Sequence, residues 1–141
     1  MADDAGDFAR SMSIATSGLR AQAGRMRVFS ENIAYADSTA PTAGGDPYRR
    51  KVPTFSSALD RTLDARGVTL GKVRSDQSAF RVKHEPGNPA ADASGNVKYP
   101  NVNPLVEMTD MREAQRSYEA NLNIISATRR MIQRTLDILK A

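Results

Sequence analysis

The sequence predicts a mainly α chain. Antiparallel amino- and carboxy-terminal helices are expected to form a coiled-coil domain, with a small β-containing insert between them. Three observations carry this expectation. Apolar residues recur at alternating steps of three and four near both ends, the seam pattern of paired helices. The segment between is rich in Pro and Gly and holds only short β-branched or aromatic runs. Aromatic residues make up 6% of the 141 residues and Trp is absent, so a core must be built from aliphatic, Met and Ala side chains packed between helices.

The first helix is expected within residues 1–40. Its seam runs Ala5, Phe8, Met12, Ala15, Leu19, Gln22, Met26, Phe29, Ile33 and Ala36, apolar at every position but Gln22. Arg10, Arg20, Arg25, Arg27 and Glu31 fall off that line. Gly18 and Gly24 each weaken an isolated helix by about 1 kcal/mol relative to Ala, so the segment must lean on a partner. The pattern fades through SENIAYADSTAPTAGGDPYRRK, where Pro and Gly break the helix ahead of three positive charges.

Residues 41–102 read as the insert. VPTFSSALDRTLDA, Val52–Ala65, predicts a short helix ending before Gly67. Val68–Arg74 and Ala79–His84 predict short strands, and EPGNPAADASGN is turn chemistry followed by a brief VKY. Strands this short make at most a small sheet or hairpin.

The second helix is expected within residues 103–141, with Asn103 as N-cap, Pro104 in the first helical position and Glu107 adding favourable charge to the first turn. Its seam runs Met111, Gln115, Tyr118, Leu122, Ile125, Arg129, Ile132, Leu136 and Leu139. A second row, Ala114, Ser117, Asn121, Ile124, Thr128, Met131, Thr135 and Ile138, widens the face towards the carboxy terminus, so this helix can meet more than one neighbour. At about 1.5 Å per residue it spans ~55 Å, too long for one small globule to cover. Gln22, Gln115 and Asn121 are placed to fix register between helices.

The chemistry of catalysis is sparse. His84 is the only histidine and lies beside a Pro/Gly turn, so no metal site is expected. Asp92–Asn96 lacks the spaced carboxylates of a calcium loop, and Gly44-Gly45 lacks the Lys-Ser/Thr of a phosphate-binding loop. There is no Cys, no nucleophile motif and no expected cofactor. The net charge is +4, with ten Lys/Arg against six Asp/Glu in residues 41–104, spread through turns instead of lining one basic helix face. Nucleic-acid binding is therefore not expected. The opening MADDAGDFAR is acidic and has no apolar core, so a cleavable secretory signal is not expected, and no run is long enough for membrane insertion. The Tyr48-Arg49-Arg50-Lys51 cluster reads either as a solvated loop or as a contact to an acidic surface on a neighbouring subunit.

SGLRAQAGRMRVFSENIAYADST (Ser17–Thr39), GGDPYRRK (Gly44–Lys51), YPNVNPLVEMTDM (Tyr99–Met111) and SYEANLNIISATRRMIQRTLDIL (Ser117–Leu139) together resemble the flagellar basal-body rod proteins, the proximal-rod members in particular. Asn32, Ile33, Ala34 and Asn121 fall in the family pattern, while Tyr35 stands where the family commonly has Asn. The resemblance implies a non-enzymatic structural subunit that polymerises helically into the drive shaft carrying torque from rotor to hook. It also implies assembly with itself and other rod proteins, contact with the rotor-side MS-ring and rod-adaptor proteins, and passage through the flagellar type III export apparatus without a cleaved signal. The implied location is the basal body, in the rod crossing the periplasm. Helix packing and assembly would rest on Phe8, Met12, Leu19, Met26, Phe29, Ile33, Tyr118, Leu122, Ile125, Ile132, Leu136 and Leu139. Tyr48, Arg49, Arg50 and Lys51 would supply a contact between subunits.

Overall fold

The computed structural model describes residues 2–141. Two long helices, α1 (Ala2–Ala34) and α2 (Pro104–Lys140), precede and follow in sequence six short strands: β1 (Lys51–Val52), β2 (Phe55–Asp60), β3 (Ala65–Leu70), β4 (Arg74–Ser75), β5 (Arg81–His84) and β6 (Asn96–Tyr99). The strands pair antiparallel as β1–β4, β2–β3 and β5–β6, so the insert holds three two-stranded ribbons and no continuous sheet.

Asp3 and Asp4 lie in the first turn of α1, where carboxylates complement the helix dipole. Just past its far end the Arg81 guanidinium donates to the carbonyl of Ala36 (2.9 Å) and to that of Pro100 (3.1 Å), tying the chain after α1 to the segment before α2. The N-cap of α2 forms as expected, the Asn103 side chain accepting from the Leu105 amide at 3.1 Å.

The short helix expected over Val52–Ala65 is not formed. Those residues instead contribute β2, which pairs with β3 over six positions from Phe55↔Leu70 to Asp60↔Ala65. Weak local helix propensity yields here to cross-strand pairing with Val68 and Thr69. The reversal is made by Asp60, whose carboxylate accepts from the Thr62 and Leu63 amides, and by Asp64 at φ 47°. The strand expected at Val68–Arg74 begins earlier, at Ala65, and the one at Ala79–His84 shortens to Arg81–His84 and pairs with β6.

Contacts gather the chain into two compact units. One holds α1 up to Met26, Thr54–Lys72 and Glu113–Ala141; the other holds Arg27–Pro53 and Val73–Arg112.

The first unit is packed with small side chains: Ala15, Ala21, Ala65, Ala114 and Thr128 are its buried residues. A Cβ on Gly18 would lie 2.8 Å from the Asn121 amide, and one on Gly67 would lie 2.6 Å from the Ser17 hydroxyl. That hydroxyl donates to the Ile14 carbonyl (2.7 Å) and accepts from the Val68 amide (3.1 Å), fastening β3 to α1. Arg10 donates to the Leu63 carbonyl at 2.8 Å, and Arg25 lies over the Phe55 ring at 5.8 Å and 3.9 Å from Glu113. The second unit buries Val28, Phe29, Ala36, Ala40, Ala90, Val97, Pro100 and Val102 around Asn32 and Glu107.

Gly67→Ala is expected to push Ser17 out of its two hydrogen bonds and to cost about 1–3 kcal/mol by overpacking. Thermal melting followed by circular dichroism, with Gly87→Ala (no atom within 4 Å) as control, measures it.

Candidate functional site

A densely bonded polar hub forms around the buried side chain of Asn32, near the end of α1. Its amide nitrogen donates to the Lys51 carbonyl (2.8 Å) and to Glu107 Oε2 (2.9 Å). Its oxygen accepts from the Tyr48 hydroxyl (2.8 Å) and the Lys51 amide (2.9 Å). A carboxamide has two donors and two acceptor sites, so Asn32 is fully satisfied, and this network fixes which way the amide faces. By holding both backbone groups of Lys51, Asn32 takes the place of a neighbouring strand beside β1.

Glu107, in the first turn of α2, is equally buried. Besides accepting from Asn32 it accepts from Arg50 Nε through its other oxygen, and Arg50 also reaches Asp76 (3.5 Å) and Asp110 (3.9 Å). The Arg50 amide donates to Asn101 Oδ1 at 2.8 Å, and the Asn101 side chain donates in turn to the carbonyls of Asp76 and Ser78. A carboxylate this deep is tolerated only with a cation and a donor against it. Hydrogen bonds from the Ser78 amide and hydroxyl, and then Arg50, hold Asp76 below the usual carboxylate range. Lys51 pairs with Glu31. Burial, with Glu31, Glu107 and Tyr35 adding to it, pushes the Tyr48 phenol up to about 12.

Tyr35, which stands where the family resemblance leads one to expect Asn, stacks on Tyr48 with centroids 4.9 Å apart and planes 17° from parallel. Arg49 donates to the carbonyls of Asp76 and Ser78 and lies 4.2 Å over the Phe80 ring. All four residues of the basic cluster thus have partners within the chain. Among the described residues no group of His, Asp and Glu is placed to hold a metal ion, and no helix is long and apolar enough to cross a membrane.

Of the residues expected to pack helices, Phe29 is buried and Phe8, Met12, Leu19, Met26, Ile33, Tyr118, Ile125 and Ile132 are half-buried. Phe8, Met12, Ile132, Leu136 and Leu139 come together in an apolar groove of about 460 Å³. Leu122, Leu136 and Leu139 are exposed, at 46%, 45% and 60%. The line that α2 hides is instead Glu107, Ala114 and Thr128, with half-buried Asn121 between them, each seven residues from the next. Sequence reasoning took Glu107 for a first-turn charge only. The signal that could have found it is that seven-residue line of small and polar side chains.

Long terminal helices with exposed apolar flanks, held by a buried polar hub, make the build of a structural assembly subunit. Residues 93–138 match the family described as flagellar basal body rod FlgEFG protein C-terminal. The flagellar basal-body rod protein FlgC of Agrobacterium fabrum is 54% identical over 91% of this chain and 92% of its own. Its namesakes in Bacillus subtilis and Salmonella typhimurium are 39% and 40% identical, over 92% and 89% of this chain and 97% and 92% of theirs. The chain belongs to the FlgC family of flagellar basal-body rod proteins. It is a structural rod subunit of the flagellar basal body.

Asn32→Ala is expected to orphan Glu107 and the Lys51 backbone and to cost about 3 kcal/mol or more, read from denaturant unfolding. A second expectation concerns alkaline pH. The folded chain holds the Tyr48 proton more tightly than the unfolded chain does, so this contribution to stability is full below pH 10 and is lost between 10 and about 12. Unfolding free energies measured across that window should fall less steeply in Tyr48→Phe than in the wild type.

Proposed function

We propose that this chain polymerises helically in the proximal part of the rod and forms a segment of the drive shaft that transmits torque from rotor to hook. The observation that carries this is the pair of exposed flanks on α2. Leu122, Leu136 and Leu139 lie on one side of the buried line, and Ile124, Met131 and Ile138, exposed at 46%, 48% and 76%, lie on the other. Apolar surface on both sides suits a subunit gripped by neighbours on both sides, in the heterologous contacts that build an open helical array.

In this reading residues 1–40 and 103–141 form an antiparallel coiled-coil domain, with 41–102 as insert. The approach of Gly18 to Asn121, the pairing of Arg25 with Glu113, and the groove shared by Phe8, Met12, Ile132 and Leu136 support it. The neighbours are further copies, other rod proteins, and the MS-ring and rod-adaptor proteins on the rotor side. The subunit passes through the type III export apparatus without a cleaved signal, and its terminal helices consolidate on assembly in the rod that crosses the periplasm. Tyr48, Arg50 and Lys51 organise the hub of their own chain. A contact of this cluster to an acidic neighbouring surface would run chiefly through Arg49, whose partners are two carbonyls and a ring.

Leu136→Glu/Leu139→Glu is expected to leave the helix content of the free subunit unchanged and to abolish its recovery in purified hook and basal-body complexes. Peptide mass spectrometry against a deletion strain reads that recovery. Normal recovery and swimming would remove the flank as an assembly surface, and normal recovery of Arg49→Glu would remove the contact assigned to Arg49.

A further inference from the structure

The β2–β3 ribbon has two outer edges, and they are not alike. Opposite residues in β2 and β3 have numbers that add to a constant, from Phe55↔Leu70 to Asp60↔Ala65, with no bulge. One step beyond, the Gly71 amide donates to the Thr54 carbonyl at 2.6 Å, which marks that pair as hydrogen-bonded. Antiparallel ladders alternate, so the backbones of Ser56, Ala58 and Asp60 face the ladder while those of Phe55, Ser57 and Leu59 face outward. On β3 the outward position opposite Ser57 is Val68, and its amide is taken by the Ser17 hydroxyl of α1 at 3.1 Å. The helix therefore closes the β3 edge. Among the described residues no hydrogen bond reaches the outward amides or carbonyls of Phe55, Ser57 or Leu59.

Open edges are ordinarily guarded by a charge, a Pro, a bulge or a covering element. Within Phe55–Leu59 the sequence FSSAL has no charge and no Pro, and the pairing has no bulge. Phe55 and Leu59 are exposed at 46% and 53%, four residues apart on one side of the strand with Ser57 between them. Unpaired backbone at regular spacing, with apolar side chains such as Phe55 and Leu59 on one face, is what strand addition uses.

We propose that the β2 edge is a docking site for an extended segment of a neighbouring rod subunit, which joins the ribbon as a third strand. This rests on the reading of the chain as a polymerising rod subunit. Backbone groups facing outward at 6–7 Å intervals match another strand, and apolar side chains on the incoming segment would cover Phe55 and Leu59.

The test compares free subunit with purified basal bodies by amide hydrogen exchange, and follows incorporation of two edge variants. The Phe55, Ser57 and Leu59 amides should be fast in the free subunit and protected in the rod. Ser57→Pro deletes an outward N–H without touching the ladder, and Ser57→Lys sets a charge on the exposed strand. Each should lower incorporation about tenfold, the worth of roughly one strand hydrogen bond. Should Ser57→Pro fold poorly, Ser57→Lys and the exchange data decide. Fast exchange at all three amides in assembled rods, or normal incorporation of a folded variant, overturns the strand-addition site. Failure of this site alone would leave the loss in Leu136→Glu/Leu139→Glu intact, whereas failure of the polymerisation reading would show as normal recovery of that variant too.

Discussion

Everything near the bases of the two helices depends on one buried carboxamide. Asn32 presents two donors and two acceptors, and all four partners come from elsewhere in the chain: Tyr48, both backbone groups of Lys51, and Glu107. None of these bonds is worth more than about a kilocalorie or two by itself, yet leaving any of them unmade in a buried setting costs more. The end of α1, the first strand and the first turn of α2 must therefore arrive together. Glu107 can be buried because Asn32 and Arg50 meet its two oxygens, and Arg50 is in turn held by Asp76 and Asn101. The result is a cooperative polar core in a chain with few aromatic residues to build another kind.

The other unit is held differently. Ala, Gly, Ser and Thr line its interior, which lets backbones approach closely but removes little apolar area from water. The larger aliphatic side chains that a self-sufficient bundle would bury stand instead on the flanks of α2 and around the groove near its end. Small residues inside and large ones outside suit a subunit that draws part of its order from neighbours. Assembly into a rod, as proposed, draws on that partition, because surface buried within one subunit cannot hold the next. The polar hub and the small-residue packing thus divide two tasks, internal cohesion and availability for assembly.

Much of the architecture was legible beforehand. The two helices, the cap at Asn103 and the absence of long strands follow from periodicity, capping chemistry and composition, which act over a few residues and leave a local trace, whereas the motif at Asn32-Ile33-Ala34 came from the family resemblance. The helix expected over Val52–Ala65 was misread because FSSALD has no strong local preference, and pairing with Ala65–Leu70 outweighed it. The Tyr48–Lys51 cluster was visible as charge and aromaticity, but not as a set of internal partners for Asn32, Glu31 and Glu107.

By itself the sequence determined that this is a mainly helical, Cys-free chain with long amphipathic termini, and its motifs placed it among rod proteins. Helical periodicity and family patterns survive in one dimension. Only the tertiary structure decided which line of α2 is hidden. Glu107, Ala114, Asn121 and Thr128 look like poor core residues until the helices come as close as Gly18 permits and Arg50 neutralises the one charge among them. Burial of a polar side chain is decided by its partners, and those of Asn32 lie 16 to 75 residues away along the chain.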